Sequence, residues 1–450
     1  MTTKPNILVI MTDHANAASL REGSQCIAPN LAALSQDGVQ FEQCYTTNAI
    51  CSPARASLMT GLYPSTHGIW DVTHAHNSDW IDAPAGRFKH FAELLSEQGY
   101  RNGYFGKWHV EQSNHLENFG WHEFDVTTLP LRIPFSPRIN KSGRDTNYPS
   151  GLDFADEVII TTDGYPDYLL SATVTGTNAI THPVFDKGMD FIERHIANNG
   201  LDVPFTCFIS VLEPHDPYLA PEEAMVQYDP QQITLSPSFD DDLTTKPEVL
   251  RRMRSVWSDL SKSDWKKIVT SYYASLTSVD TEIGRVINLL KEKNLYENTV
   301  IVFTSDHGDC LTDHGHSQKW TMYDQVVRVP MLVWSPTRFK GGHTVNGLIQ
   351  SMDVGVSLLE FAGASVPNTV EAISVAPALH GNEWQGRDYV YAEQMTDGNY
   401  TEGPFMTMVR DRDWKLVHFL DEEYGQLFDL RSDPNEANNL WDEGELVVNF

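Results

Sequence analysis

Basic residues are scarce in this chain of 450 residues. Lys and Arg together number 32 against 61 Asp and Glu, which gives a formal net charge of −29. So acidic a surface repels phosphate backbones and anionic lipid surfaces, so neither nucleic acid nor a membrane is expected as a partner. An anionic substrate would have to be attracted by a local basic pocket.

Cysteine is also scarce, and its placement argues against a disulfide framework. The five cysteines include no Cys-x-x-Cys pair and do not form an even set, unlike those of small secreted scaffolds. Long apolar runs are missing too, since no segment approaches the roughly 20 residues that span a bilayer. The chain opens on a short apolar run rather than a signal-peptide pattern. We therefore expect a cytoplasmic protein, or a periplasmic or secreted one if a leader has been removed.

Short apolar runs are present instead, and four of them end in charged or imidazole side chains. Such runs, rich in β-branched residues, are typical of strands buried on both faces of a sheet. The runs and their endings are Asn6–Met11 with Asp13 and His14, Tyr100–Phe105 with Lys107 and His109, Phe205–Leu212 with His215, and Val300–Thr304 with Asp306 and His307. Because ligands of open α/β sheets collect at the carboxyl ends of strands, these endings predict one site.

Two acid–imidazole pairs among these endings, Asp13-His14 and Asp306-His307, predict a metal centre. Carboxylate oxygens combined with imidazole nitrogens suit Mn²⁺, Fe²⁺ or Zn²⁺, whereas cages of oxygen alone favour Ca²⁺ or Mg²⁺. Asp309 is a further candidate ligand on the same Asp-His-Gly-Asp run. For either pair alone, salt-bridged acids capping a strand end are the simpler interpretation.

A cysteine and an arginine mark the start of a predicted short helix. Cys51 opens it, and Arg55 follows about one turn later. A cysteine at a helix N-terminus meets backbone N–H groups and the positive end of the helix dipole, which favours anionic chemistry. For an isolated Cys-x-x-x-Arg, the simpler interpretation is a buried cysteine beside a surface arginine.

The complete motif is far more specific. Cys51-x-Pro53-x-Arg55, then Leu58-x-Thr60-Gly61 and Pro64-x-x-His67-Gly68, closely resembles the sulfatase family. The resemblance covers nearly the whole chain. It implies that a formylglycine-generating maturation enzyme oxidises Cys51, and that hydrated formylglycine attacks sulfur beside a divalent cation. The implied reaction is hydrolysis of an organic sulfate monoester, a sulfated carbohydrate or an aryl sulfate, to alcohol and inorganic sulfate.

The resemblance also implies an architecture. We expect an alkaline-phosphatase-like α/β fold, with a large, mixed, mostly parallel sheet flanked by helices, over residues 1–375. Residues 376–450 are expected to form a small C-terminal subdomain with an antiparallel sheet and a helix. The turn Ser432-Asp433-Pro434-Asn435-Glu436 is predicted to open that helix.

Residue roles follow from the same resemblance. Lys107 and His109 are expected to bind sulfate and formylglycine oxygens, while His215 and Lys319 contact the sulfate and its leaving oxygen, and Arg55 holds the geometry of the centre. The implied metal ligands are Asp13, His14, Cys51, Asp306 and His307. Ca²⁺ is the usual metal of the family, and Mn²⁺ or another transition metal is the alternative. His14 stands where the family mostly has a second acid, so ligation, substrate contact and replacement by water all stay open for it.

Two other functions remain open. A phosphonate monoester hydrolase or phosphodiesterase of the same superfamily is favoured by Asp306-His307 and by Lys319-Trp320-Thr321-x-Tyr323, whereas Gly106-Lys107-Trp108-His109 favours a sulfatase. A metal-binding pseudoenzyme or carbohydrate-binding module is suggested by His14 alone. Residues 111–181 and 218–263 are predicted to wall the pocket. His74 and His76 are interpreted as loop residues, and His314 and His316 have no assigned role.

Overall fold

A computed structural model describes residues 4–72, 88–111, 115–126, 153–161, 168–175, 182–395 and 404–442. The strands are β1 Asn6–Asp13, β2 Val39–Phe41, β3 Cys44–Tyr45, β4 Arg101–Gly106, β5 Glu123–Asp125, β6 Asp153–Thr161, β7 Tyr168–Thr175, β8 Phe205–Pro214, β9 Tyr218–Pro221, β10 Thr299–Ser305, β11 Met331–Trp334, β12 His343–Val345, β13 Ile349–Gln350, β14 Val390–Gln394, β15 Met406–Arg410, β16 Trp414–Phe419 and β17 Gln426–Asp429. The helices are α1 Pro29–Asp37, α2 Cys51–Thr60, α3 Pro64–His67, α4 Phe91–Glu97, α5 His182–Asn199, α6 Glu222–Met225, α7 Glu248–Ser255, α8 Lys262–Glu292, α9 Asp324–Val327, α10 Asp353–Ala362 and α11 Ala376–Leu379.

The central sheet has the strand order β12-β2-β11-β10-β1-β8-β4-β5. Strands β10, β1, β8, β4 and β5 run parallel to one another, and β11 runs antiparallel to both β10 and β2. The sheet is therefore mixed and mostly parallel, as predicted. Because β10, β1, β8 and β4 are consecutive, their carboxyl ends lie side by side at one edge of the sheet.

Two apolar cores cover the two faces of this sheet, because side chains alternate along each strand. On β1, Ile7 and Val9 pack with residues of α2, α4 and α10. Leu8 and Ile10 point the other way and pack with residues of α1, α5 and α8. The central strands are therefore buried on both sides, which explains their nearly continuous apolar sequences.

The described part of the chain contains two further sheets of three or more strands. β14-β15-β16-β17 form an antiparallel sheet near the C-terminus, and β6-β7-β9 form a three-stranded sheet. β6 and β7 lie within residues 111–181, the first of the two segments predicted to wall the pocket. Among the described residues, no helix is long and apolar enough to cross a membrane.

One predicted element is wrong. No helix follows Ser432 within residues 404–442; the short helix α11 precedes the antiparallel sheet instead. The Asp433 carboxylate accepts the backbone N–H groups of Ala437 and Asn438, which closes a turn. Glu436 has a left-handed backbone, with φ of 55°, and its side chain lies 2.6 Å from Lys415 Nζ. The domain boundary near residue 375 stays a prediction.

Candidate active site

The four strand endings meet where α2 begins. β1 ends at Asp13, and Lys107, His215 and Asp306 directly follow β4, β8 and β10. Parallel register brings these ends to one level: Met11 pairs with both Thr304 and Ser210, and Gly106 also pairs with Ser210. The structure thus brings together segments separated by up to about three hundred residues of chain.

Cys51 lies at the centre of this cluster and is 1% exposed. Its Sγ is 3.1 Å from Lys319 Nζ, 3.2 Å from His307 Nε2 and 3.6 Å from Asp13 Oδ1. Burial raises the pKa of this thiol. The charges of Lys107, Lys319 and His307, with a hydrogen bond from His109, outweigh burial and hold the pKa well below its usual value.

The other cysteines have the opposite electrostatics. Burial raises the pKa of Cys26 to about 12 and also raises that of Cys44, Cys207 and Cys310. Because the thiolate is the reactive form of cysteine, Cys51 differs from the other four in its chemistry as well as in its motif.

Arg55 joins the two acidic strand ends beneath Cys51. Its Nε donates to Asp306 Oδ2 at 2.7 Å and its Nη2 to Asp13 Oδ2 at 3.2 Å, while Nη1 donates to the Lys107 carbonyl and the Ser210 hydroxyl. The side chain is fully buried. Burial opposes the charged guanidinium, but the two carboxylates raise its pKa above the usual value. All three nitrogens are therefore engaged with protein groups.

Asp13 and Lys107 form a buried ion pair beside Cys51. Burial and the neighbouring Cys51 raise the pKa of Asp13, while Lys107, His215 and Arg55 lower it; the net value is about 2. Asp13 is therefore a carboxylate across the physiological pH range, and it carries the negative charge that a cation would need.

Lys319 reaches the cluster from the loop after β10. Its Nζ lies 3.0 Å from His14 Nε2 and 3.4 Å from His215 Nε2, in addition to its contact with Cys51. Burial opposes its charge, but Cys51, Asp13 and Asp216 raise its pKa above the usual value. His215 is the more exposed partner, with 17% of its side chain accessible. The loop after β8 thus opens the cluster toward solvent.

The donor atoms in this cluster fit a divalent cation. Asp13, His14, Cys51 and His307 each offer one ligand atom, and these atoms all lie within 4.8 Å of one another. The set combines a carboxylate, two imidazoles and sulfur, all buried. The Asp306 carboxylate lies beside this group, where it accepts from Arg55 Nε and from the His307 backbone N–H at 2.8 Å.

Several polar residues of the site were not singled out from the sequence. Ser210 supports Arg55, and the Tyr104 hydroxyl donates to the Lys107 carbonyl. Tyr218 donates to Asp309, which contacts His14 Nδ1 and does not itself supply one of the four clustered ligand atoms. Ser210 could have been found, because it is a polar residue in the carboxyl-terminal half of a mainly apolar buried strand.

Of the four other histidines considered in the sequence, two lie within the described residues and two do not. His314 Nδ1 is 2.7 Å from Asp241 Oδ2, and its ring stacks on Tyr323. His316 is buried, and burial lowers its pKa to about 3. His74 and His76, and parts of the predicted pocket wall between 111 and 181, lie outside the described residues.

The sheet and the cluster define a class of protein: an α/β protein whose buried cysteine, cationic side chains and candidate metal ligands form a centre suited to anionic esters. Comparison with known proteins then gives the family. The sulfatase family profile matches residues 5–364, and the profile "N-sulphoglucosamine sulphohydrolase, C-terminal" matches residues 312–448. The chain belongs to the sulfatase family and is a sulfuric ester hydrolase, as predicted. Members of this family generally use a metal ion and formylglycine.

Relatives of known name align along almost the whole chain. An N-acetylglucosamine-6-O-sulfatase of Bacteroides thetaiotaomicron is 25% identical over 99% of this chain and 84% of its own length. An arylsulfatase of Clostridium perfringens is 26% identical over 97% of this chain and 90% of its own length. A choline-sulfatase of Rhizobium meliloti is 28% identical over 98% of this chain and 84% of its own length.

Solved structures share the fold. A protein solved in complex with its substrate D-glucosamine-2-N,6-O-disulfate superposes with a TM-score of 0.77 at 21% identity, covering 99% of this chain and 95% of that one. The phosphonate monoester hydrolase of Silicibacter pomeroyi superposes with a TM-score of 0.79 at 25% identity, covering 99% and 92%.

Proposed function

We propose that this enzyme hydrolyses the sulfate ester of a sulfated carbohydrate, using Cys51 in its formylglycine form beside a divalent cation. The observation that carries the proposal is the surroundings of Cys51. This buried Sγ lies within 3.6 Å of an ammonium, an imidazole and a carboxylate that come from three distant segments. An arylsulfatase also aligns along 97% of the chain, but the C-terminal profile is that of N-sulphoglucosamine sulphohydrolase and the relative named as an N-acetylglucosamine-6-O-sulfatase aligns along 99%, which favours a carbohydrate.

The cation would be held by Asp13, His14, position 51 and His307, with Asp306 adjoining. When bound, it supplies positive charge for the developing anion and helps to generate an oxygen nucleophile at neutral pH. Formylglycine supplies that oxygen as a hydrated aldehyde, which a thiol cannot replace. A maturation enzyme is therefore a necessary partner in this proposal.

The protein's own side chains would do the remaining work. Lys107 and Lys319 bind the equatorial sulfate oxygens, where charge accumulates in the transition state. His215, next to Lys319 and the most accessible of these groups, donates a proton to the leaving alcohol oxygen. His109, hydrogen-bonded to position 51, accepts the proton whose loss releases sulfate. Arg55 holds Asp13 and Asp306 in place through its Nε and Nη2.

The test uses two cysteine variants made together with a maturation enzyme. Cys51→Ala should abolish release of free sulfate and retain the fold by circular dichroism, because it removes the nucleophile. Cys26→Ala is the matched control: Cys26 lies outside the cluster and contacts the Tyr273 carbonyl, so that variant should keep wild-type rates. Peptide mass spectrometry should find formylglycine at position 51 in the wild type. Wild-type turnover by Cys51→Ala would disprove the nucleophile assignment.

Substrate class is tested with a panel of sulfated mono- and oligosaccharides against aryl sulfates, with free sulfate as the readout. Higher kcat/KM on at least one sulfated sugar than on every aryl sulfate supports the proposal. A higher kcat/KM on an aryl sulfate than on every sulfated sugar would contradict the carbohydrate proposal and indicate an arylsulfatase.

Phosphonate ester hydrolysis is the second candidate. It is favoured by the structural likeness to a phosphonate monoester hydrolase with 25% identity and a TM-score of 0.79. Nitrophenyl sulfate and nitrophenyl phenylphosphonate separate the two reactions. Both substrates release nitrophenol, and they differ only in the acid group from which it leaves. A kcat/KM higher on the phosphonate would make it the main activity.

A further inference from the structure

The His14 ring is held at both of its nitrogens. Its Nδ1 lies 3.0 Å from the Asp309 carboxylate, and its Nε2 lies 3.0 Å from Lys319 Nζ. A lysine ammonium only donates, so Nε2 must present a lone pair, and Nδ1 must then carry the hydrogen that Asp309 accepts. The two partners therefore select one tautomer, with the Nε2 lone pair directed into the cluster around Cys51.

The Asp309 carboxylate accepts hydrogen bonds from three groups besides His14. One of its oxygens receives the backbone N–H groups of Leu311 and Gln318, both at 2.9 Å, and the other receives the Tyr218 hydroxyl at 2.7 Å. The carboxylate is fully buried and is not among the four side chains whose ligand atoms cluster. With three donors besides His14 fixing its position, Asp309 acts on the cluster through the His14 ring.

His307 is oriented in the same way. Its Nδ1 lies 2.8 Å from the Gly308 carbonyl, which can only accept, so Nδ1 carries a hydrogen and Nε2 is the ring nitrogen that faces Cys51 Sγ at 3.2 Å. Histidines that bind metals nearly always donate their other ring N–H to a carboxylate or a carbonyl. Two imidazoles in one cluster meet this condition, one through Asp309 and one through the backbone.

The backbone of His14 is fixed as well. It adopts a left-handed conformation with φ of 71°, unusual for a residue with a side chain. The Tyr272 hydroxyl donates to the His14 carbonyl at 2.7 Å. Held at its backbone and at both ring nitrogens, His14 has one orientation.

We propose that His14 is a nitrogen ligand of the metal, that Asp309 is the residue that positions it, and that the centre consequently selects a transition-metal dication such as Mn²⁺ over Ca²⁺. This inference rests on the proposed metal-assisted sulfatase function. Imidazole nitrogen is a poor ligand for Ca²⁺ and a good one for Mn²⁺, so two oriented imidazoles shift the preference.

The decisive variant is Asp309→Asn. Two backbone N–H groups donate to one side-chain oxygen of residue 309, and in the variant they would hold the Asn oxygen at that position. The Asn NH₂ group would then face His14 and Tyr218. An NH₂ donating to Nδ1 forces the hydrogen onto Nε2 and removes the lone pair. His14→Gln removes the imidazole itself. Asp313→Asn is the matched control, because Asp313 is also a buried acid of this loop but contacts Ser236 and Ser238.

Metal affinity is measured on chelator-treated protein by competition with a fluorescent chelator, for Mn²⁺ and Ca²⁺ separately. We expect wild type to bind Mn²⁺ more tightly than Ca²⁺, and Asp309→Asn and His14→Gln each to weaken Mn²⁺ binding by about 10- to 100-fold. Asp313→Asn should bind like wild type. Unchanged Mn²⁺ affinity in both site variants, or a wild-type preference for Ca²⁺, would overturn the inference.

Two spectroscopic readouts separate positioning from a general structural effect. Pulsed EPR of bound Mn²⁺ should detect two imidazole nitrogens in wild type and one in His14→Gln. ¹⁵N NMR should show the Nδ1–H tautomer of His14 in wild type and the Nε2–H tautomer in Asp309→Asn. A single imidazole nitrogen coupled to Mn²⁺ in wild type would show that His14 Nε2 bonds only to Lys319, and it would refute metal ligation by His14. Two-imidazole Mn²⁺ binding without sulfate release from any ester would instead refute the proposed function and leave this inference standing.

Discussion

At the scale of single residues, the site depends on charges that are buried and paired. Arg55 is fully buried and bonded to both Asp13 and Asp306. Removing one partner of a buried ion pair is costly because the other charge stays desolvated and uncompensated. Arg55 therefore contributes to folding as well as to the geometry of the centre.

Arg55→Ala should lower the free energy of unfolding by about 3–5 kcal/mol, measured by urea denaturation in the presence of chelator so that bound metal does not compensate. Arg431→Ala is the control. Arg431 also pairs with a carboxylate, Asp429, but its side chain is exposed, so its loss should change stability little. Equal effects in the two variants would show that Arg55 is not the structural link between the two strand ends.

At the scale of elements, one close approach between strands positions Lys107. Gly106 ends β4 with φ of 98°, and a Cβ there would lie 1.9 Å from the Ser210 carbonyl oxygen of β8. The Lys107 backbone N–H donates to that same oxygen at 2.8 Å. A side chain at position 106 would have to separate β4 from β8 and displace Lys107.

Gly106→Ala should therefore lower kcat/KM by roughly 100-fold, since a displacement of about 1 Å in a catalytic group has such an effect. Gly200→Ala is the matched control: Gly200 also has a positive φ, of 74°, but no atom lies within 4 Å of the added Cβ. That variant should lose about 1–2 kcal/mol of stability and keep its kcat/KM. A fully active Gly106→Ala enzyme would contradict the role given to this contact.

At the scale of the whole molecule, net charge sets the response to salt. The chain carries a formal charge of −29, and self-repulsion of such a charge destabilises the compact state. Salt screens this repulsion, because the Debye length falls from about 30 Å at 0.01 M to about 8 Å at 0.15 M.

Raising ionic strength over that range should raise Tm, measured by differential scanning calorimetry. Tetramethylammonium chloride at equal ionic strength should raise it as much as NaCl, because screening does not depend on the identity of the cation. A rise with NaCl alone would indicate specific ion binding and contradict the screening explanation.

Elements with strong sequence patterns were predicted closely. β1, β8 and β10 each contain the whole of the predicted apolar run and extend it by two residues in all. β6 and β7 were missed because they lie in a segment rich in Pro, Gly and Asn. The helix predicted after Ser432 is wrong because Glu436 turns inward to a buried lysine, a tertiary contact that local propensity does not contain.

The sequence by itself determined the family, the buried strands and the residue types of the site, because motif and apolar pattern are local properties of the chain. The tertiary structure alone decided which neighbours those residues have. Arg55 bonded to two carboxylates, Lys319 placed against Cys51 and Asp309 turned toward His14 all depend on strand order and register. Those are fixed by packing between segments hundreds of residues apart, and hydrogen-bond direction at a buried ring follows from that packing.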